Sequence, residues 1–78
     1  MGNNVKMEVL NKYKVADIKE GDKFYIDDYG TIEISYFTKN GIYVNYSFLK
    51  DGKTMPTYTS CATFALCELL NKSKAIKI

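Results

Sequence analysis

The chain has 78 residues, of which 46% are hydrophobic and 26% charged, a composition typical of one globular domain and not of a disordered segment. All of its 11 basic residues are lysine and its net charge is only +2, so it has no concentrated basic stripe of the kind that dominates nonspecific nucleic-acid binding. Histidine is absent, which removes the side chain that most often performs acid–base catalysis near neutral pH.

The composition also predicts a location and an origin. No apolar run reaches the roughly 18 to 20 residues of a membrane span, and residues 1–6 lack a signal-peptide apolar region. We therefore expect a cytoplasmic protein without membrane contact. Lysine, asparagine, isoleucine and tyrosine have AT-rich codons, so we expect a low-GC bacterium, its phage or a mobile element as the source, and the host cytoplasm if the chain is phage-encoded.

The first third of the chain predicts two strands separated by a turn. Apolar residues alternate with charged ones over residues 5–9, the period of a strand with one buried face. Residues 17–22 read as a turn in which Ile18 is an apolar plug and Gly21 takes positive φ. A second strand should follow over residues 23–26.

Two longer alternating segments predict a central hairpin. Residues 32–37 and 42–49 both alternate, and the Asn40-Gly41 pair between them invites a two-residue type I′ turn. That turn would set Glu33 opposite Phe48 and mix polar residues into the apolar face.

A three-residue loop over residues 39–41, with Gly41 in the left-handed region, keeps one face apolar instead. It predicts these cross-strand pairs: Ile32 with Phe48, Ile34 with Tyr46, and Tyr36 with Val44.

The remainder predicts a second hairpin and a helix. Asp51-Gly52 leads into a strand over residues 53–58, where Pro56 cannot donate a ladder hydrogen bond and indicates an edge position. A helix capped by Thr59 or Ser60 should run to Asn71, and residues 75–78 form a last strand. The stripe expected to pack on the sheet contains Cys61, Ala62, Ala65, Leu66, Leu69 and Leu70, and leaves Phe64 and Cys67 outside.

These elements define the fold class. We predict a single α+β domain over residues 1–78, with a small, strongly curved antiparallel sheet of four to five strands and one C-terminal helix packed on it. The stretch from Ile18 through Gly21-Asp22 to Phe24 is similar to the strand beginnings of many small β-barrels, including SH3-like ones. An SH3-like or partly open barrel is therefore a variant of the prediction.

The sequence contains no recognisable catalytic or metal-binding pattern. Cys61 and Cys67 lie about 120° apart on the expected helix, so they cannot pair there, and two thiols without histidine fall short of a zinc site. Asp27 and Asp28 are expected to form a solvated turn. No phosphate-binding glycine loop occurs. We expect no catalytic residues, no metal, no cofactor and no enzymatic activity.

The chosen register predicts a contact surface on the other side of the hairpin. It places Phe37 opposite Tyr43, and aromatic side chains commonly anchor binding interfaces. The predicted partner-binding residues are Phe37, Tyr43, Leu49, Lys39 and Phe64. In the competing interpretation the sheet curls into a barrel, or Tyr25 and Tyr29 cover the aromatic pair, and Phe64 packs in the core.

The leading functional hypothesis is a non-enzymatic binding module or inhibitor whose partner is another protein. The alternative is a nucleic-acid or nucleotide-ligand binder in which Tyr25 and Tyr29 stack a base and lysines meet phosphate. The absence of arginine counts against this alternative. A third hypothesis is homodimerisation through the strand that carries Pro56 or through the Phe64 face.

Overall fold

A computed structural model describes residues 12–78, so the strand predicted over residues 5–9 lies outside the described residues. The elements in chain order are a 3₁₀ turn (Val15–Asp17), β1 (Lys23–Ile26), β2 (Gly30–Thr38), a 3₁₀ turn (Lys39–Gly41), β3 (Tyr43–Lys50), β4 (Lys53–Ala62), α1 (Thr63–Lys72) and β5 (Ile76–Lys77).

The strands form one open antiparallel sheet in the order β4-β3-β2-β1-β5, with α1 packed on one side. This confirms the α+β class with five strands and one helix. The sheet does not close, because within residues 12–78 its two outer strands, β4 and β5, are edges. The described residues therefore do not form a closed barrel. Pro56 lies on edge strand β4, as predicted.

Turn residues set the two tight connections of the sheet. Asp51 (φ 54°) and Gly52 (φ 78°) connect the paired residues Lys50 and Lys53, and the two positive φ values are those that a two-residue type I′ turn requires. Between β1 and β2, Asp28 has φ 65° in an exposed turn. The hairpin at Asp51-Gly52 and the turn at Asp27-Asp28 were both expected from these residue types.

The register of β2 against β3 follows the prediction for only half its length. Ile34 pairs with Tyr46 as expected, and then a bulge at Ser35 shifts the register by one residue. Beyond the bulge, Phe37 instead of Tyr36 lies opposite Val44. Because a bulge adds one residue to one strand, it exchanges the two faces for every residue that follows.

The chemistry of the two rings favours this exchange. It turns Phe37 toward the core, where it is partly buried, and leaves Tyr36 44% exposed with its hydroxyl in water. The predicted pair of Tyr36 with Val44 is wrong.

The loop that follows is one residue longer than predicted. Thr38 pairs with Tyr43, which leaves four connecting residues, 39–42, instead of three. Gly41 has φ 91°, in the left-handed region as expected. The extra loop residue and the bulge compensate, so the pairing farther from the loop returns to the predicted register.

The core lies between the sheet and α1. The buried apolar side chains are Tyr13, Ile18, Phe24, Ile26, Ile32, Ile34, Val44, Tyr46, Leu66, Cys67, Leu70 and Ala75. Each fully buried isoleucine, leucine or phenylalanine side chain stabilises the fold by about 1.5 to 3 kcal/mol relative to exposure. Ile18 is 4% exposed, so the predicted apolar plug is confirmed.

The helix begins later than predicted, at Thr63. Residues 59–62 continue β4 and pair with β3, so cross-strand pairing prevails over the capping potential of Thr59 and Ser60. The Thr63 backbone N–H donates to the Ile42 carbonyl at 2.8 Å, and its hydroxyl donates to the Gly41 carbonyl at 2.6 Å.

The buried stripe of α1 is rotated from the predicted one. Its buried residues are Thr63, Leu66, Cys67, Leu70 and Asn71, whereas Ala65 is exposed and Leu69 only partly buried. The assignment of Cys67 to the outside was therefore wrong. Two of the five buried residues are polar and bond to loop backbone, which an apolar-stripe argument cannot detect.

Asn71 joins the helix to the segment that precedes the sheet. Its Oδ1 accepts from the Tyr13 backbone N–H at 2.7 Å, and its Nδ2 donates to the Tyr13 carbonyl at 2.9 Å. The Cys67 thiol donates to the same carbonyl at 3.1 Å, and the Tyr13 hydroxyl donates to the Ala75 carbonyl at 2.6 Å. These bonds satisfy buried backbone groups that no strand pairs.

Candidate protein-binding face

The side of the sheet that faces away from α1 is uncovered in the described part of the chain. Because side chains alternate along a strand, the residues between the buried ones project from this side. We call this surface the open face. Its exposed large side chains are Tyr25, Tyr36, Tyr43, Tyr58 and Ile76, and each tyrosine is between 43% and 55% exposed.

Two of these tyrosines meet across the middle of the open face. The rings of Tyr36 on β2 and Tyr58 on β4 are 6.0 Å apart and nearly perpendicular, an edge-to-face arrangement. The strands β2 and β4 flank β3, so the two rings meet above β3. We call this pair the tyrosine bridge.

The tyrosine bridge accounts for two buried polar residues. Asn45 lies opposite Tyr36 in the register and Ser47 lies opposite Tyr58, both on β3. Asn45 is 9% exposed and Ser47 is 0% exposed, although their side of the sheet carries no helix. The Ser47 hydroxyl also lacks a hydrogen-bond partner among the described residues. Two polar side chains on the face away from α1 therefore lie buried in β3, between the strands that carry the two rings.

The charges of the open face balance each other. Among its strand residues only Lys23 and Glu33 are charged, and Lys23 Nζ lies 3.7 Å from Glu33 Oε2. The Thr54 hydroxyl donates to Glu33 Oε1 at 2.6 Å. The remaining surface consists of tyrosine, serine, threonine, asparagine and aliphatic side chains. Such a surface offers aromatic area and neutral hydrogen-bonding groups with no excess charge.

The structure separates the predicted contact residues. Tyr43 and Leu49 lie on the open face, and Lys39 is exposed in the loop between β2 and β3. Phe37 lies on the helix side, opposite Val44 and partly buried against the core. The predicted cross-strand pair of Phe37 and Tyr43 does not form, because the bulge at Ser35 reverses the direction of Phe37.

Phe64 lies on a different surface from these residues. It is 55% exposed near the start of α1, so the competing interpretation that buried it in the core is wrong. With Val15 and Ile42 it lines a shallow apolar groove of about 450 Å³. This groove is formed by the helix start, the loop between β2 and β3, and the first 3₁₀ turn.

Tyr25 and Tyr29, the residues of the ligand-stacking hypothesis, lie on opposite sides of the sheet. Tyr25 is on the open face, and its hydroxyl donates to Asp27 Oδ1 at 3.4 Å. Tyr29 packs on the helix side, with its ring 5.7 Å from that of Phe48. The two tyrosines cannot stack on one base, and they do not jointly cover an aromatic pair.

The cysteines are in environments that reduce nucleophilic reactivity. Cys61 lies in β4 and Cys67 in α1, so they are not on one helix as predicted. Burial raises the pKa of both thiols, which keeps them protonated at neutral pH. Within residues 12–78, no three histidine, cysteine, aspartate or glutamate side chains are grouped so as to hold a metal ion.

Sequence reasoning missed Tyr36 and Tyr58 as surface residues. Tyr36 was assigned to the core because nothing in the local alternation reveals the bulge. Tyr58 carries a recognisable signal, since it belongs to an edge strand rich in threonine and serine, a composition suited to an exposed strand.

Comparison of the chain with protein-family models, with curated proteins and with solved structures found no match. In the described part of the chain, no helix is long and apolar enough to cross a membrane. The open face is therefore interpreted from its own residues and geometry.

Proposed function

We propose that this chain is a non-enzymatic protein-binding module and that the open face is its contact surface. The observation that carries the proposal is the presence of four exposed tyrosines on one sheet face that residues 12–78 leave uncovered. Tyrosine supplies large, amphipathic contact area with few rotatable bonds, and it is enriched in interface hot spots and antibody combining sites. The intervening serine, threonine and asparagine residues supply adaptable hydrogen bonds.

The tyrosine bridge favours binding because its geometry exists before any partner arrives. Ordering a flexible side chain at an interface costs about 0.5 to 1.5 kcal/mol, and a ring already packed against another ring avoids part of this cost. Tyr36 and Tyr58 hold each other over β3 at 6.0 Å. Tyr25 and Tyr43 lie on either side of this ordered centre and extend the aromatic area.

The size of the open face is compatible with a modest interface. At about 3.3 Å per residue and 4.8 Å between strands, the strand residues present roughly 500 Å². Two such surfaces reach the roughly 1,000 Å² at which specific interfaces begin. The module would therefore suit a reversible inhibitor or accessory factor, in keeping with the expected phage, mobile-element or low-GC bacterial origin.

Mutation of the face, with a matched control on the other side, tests the proposal. The tagged chain and its Tyr43→Ser and Tyr58→Ser variants are used to capture partners from the lysate of a low-GC bacterium, with captured proteins quantified by mass spectrometry. The control is Tyr29→Ser, because Tyr29 is 52% exposed on the helix side. A partner should be retained by wild type and control and lost from both face variants. Equal retention by all four proteins would refute the open face as the contact surface.

A second candidate, binding of single-stranded nucleic acid or a nucleotide, is favoured by one observation. Exposed tyrosines on a sheet can stack unpaired bases. The charge of the surface opposes it, since Lys23 is the one cation among the strand residues of the open face and is paired with Glu33. Fluorescence titration with oligonucleotides at two salt concentrations decides this candidate, because phosphate-driven affinity must fall steeply with salt.

A further inference from the structure

Strand β4 presents a long edge with free access along most of its length. It has ten residues and is an outer strand of the sheet that residues 12–78 form. Residues 53–60 are all exposed, on both sides of the sheet. The outward backbone N–H and C=O groups of such an edge are spaced for another extended polypeptide.

The protective features of this edge are confined to its first half. Lys53 and Pro56 lie there, and the pairing with β3 is irregular between Ser47 and Leu49, opposite residues 55–57. Charge, proline and bulges are the means by which natural edges avoid pairing. Residues 57–62 contain no charge and no proline, and residues 58–62 form a regular ladder with β3 on their inner side.

The described segment begins near β5, at the opposite edge of the sheet from β4. Lys12 lies beside Lys77 in the groove next to β5. Four strand spacings separate β5 from β4, a distance of about 19 Å. Because residues 57–62 carry no charge, two copies of this segment can also approach without electrostatic repulsion.

We propose that β4 pairs antiparallel with β4 of a second copy of this chain, which joins the two sheets into one of ten strands. The alternation of side chains restricts the register, and we place the axis at Thr59, near the middle of the uncharged segment. Directly opposed residues must lie on the same face of the sheet. The two-fold axis therefore lies midway between one residue and the same residue of the second copy, so that this residue is opposite itself. An axis through Thr59 places residues 57–61 of the two copies together and puts Pro56 opposite Ala62, at the ends of the paired segment.

This register brings the exposed tyrosine of β4 into the interface. Tyr58 lies opposite Ser60 of the second copy and diagonal to the second Tyr58, at a separation that aromatic side chains can span. Tyr58 is 55% exposed in the single chain, so pairing covers side-chain area as well as backbone groups. The dimer also joins the two open faces into one continuous surface, although it does not depend on the proposed function of that surface.

Charge substitution at the two-fold residue tests this inference. Thr59 lies opposite its own copy, so Thr59→Lys and Thr59→Glu each place like charges face to face. The expected effect of each variant alone is an approximately five- to tenfold weaker dimer. An equimolar mixture of the two variants places lysine opposite glutamate and should restore association. Thr38→Lys is the matched control, because Thr38 is an exposed strand threonine outside β4.

Sedimentation equilibrium under reducing conditions provides the readout, with circular dichroism confirming that each variant is folded. Wild type and Thr38→Lys should approach twice the chain mass of 8.9 kDa as concentration rises. A wild-type mass that stays at 8.9 kDa up to about 1 mM, the weak limit of specific association, overturns the inference. So does a mixture that associates no better than its two components. Partner capture by Thr59→Lys shows separately whether the open face functions without the dimer.

Discussion

Replacing Asn71 with alanine removes both of its buried hydrogen bonds to the Tyr13 backbone at once. The Tyr13 N–H, which donates to Asn71 Oδ1 at 2.7 Å, loses its partner, and Tyr13 is 8% exposed. The Tyr13 carbonyl keeps the Cys67 thiol at 3.1 Å. An orphaned buried donor costs about 1 to 3 kcal/mol and a lost second bond about 1 kcal/mol, so we expect Asn71→Ala to lower the free energy of unfolding by about 2 to 4 kcal/mol.

That loss is a large fraction of the stability available to this chain. At about 0.05 to 0.15 kcal/mol per residue, a domain of 78 residues has roughly 4 to 12 kcal/mol in total. At about 4 to 8 °C per kcal/mol, the melting temperature should fall by about 8 to 30 °C. Thermal unfolding followed by circular dichroism measures the shift, and Lys72→Ala on the exposed side of α1 is the control. An Asn71→Ala protein that melts within about 2 °C of the control would refute the assignment of this contact as a main attachment of the helix.

Three further predictions concern buried polar groups. Ser47→Ala removes a buried hydroxyl that has no hydrogen-bond partner among residues 12–78, so the free energy of unfolding in urea should rise by about 1 kcal/mol, and an equal loss would show that the hydroxyl is bonded. Burial, followed by the neighbouring Tyr29, raises the pKa of Tyr46 from 10.0 to about 12. The unfolded chain loses this proton at a lower pH than the folded chain, so the free energy of unfolding of wild type should fall between about pH 10 and 12. It should fall less in Tyr46→Phe, and an equal fall in the two proteins would contradict the assignment. Thr63→Val breaks the 2.6 Å bond to the Gly41 carbonyl and should cost about 1 kcal/mol in the same urea assay, whereas an unchanged midpoint would argue against that bond.

The parts of the fold that could be predicted from sequence are governed by local chemistry. Strict alternation located β2 and β3, and Asp51-Gly52 specified a tight turn because these residue types tolerate positive φ. Pro56 indicated an edge because it lacks a backbone donor. Each of these inferences depends on a residue and its nearest neighbours in the chain, so one sequence is sufficient.

The parts that failed depend on contacts between distant residues. The bulge at Ser35 allows Phe37 to reach the core while Tyr36 keeps its hydroxyl in water, and no local pattern reveals this exchange. The late start of α1 has a similar origin, since residues 59–62 pair with β3 instead of capping a helix.

The candidate site was likewise predicted only in part. Tyr43 and Leu49 were expected on the side of the hairpin that faces away from the core, and they lie there. Tyr36 and Phe37 exchanged places because they follow the bulge. The aromatic surface is consequently larger than predicted, and its centre is a contact between β2 and β4 that no pairing of β2 with β3 could have indicated.

The central claim is that the bulge turns Tyr36 outward to meet Tyr58 on an uncovered sheet face. One NMR experiment tests it most directly. It combines proton–proton nuclear Overhauser contacts among the aromatic rings with the line broadening that a soluble paramagnetic probe causes in exposed rings. We predict contacts between the Tyr36 and Tyr58 rings, strong probe broadening of both, and protection of Phe37 next to Val44. Contacts between the Phe37 and Tyr43 rings, with Tyr36 protected from the probe, would contradict the account.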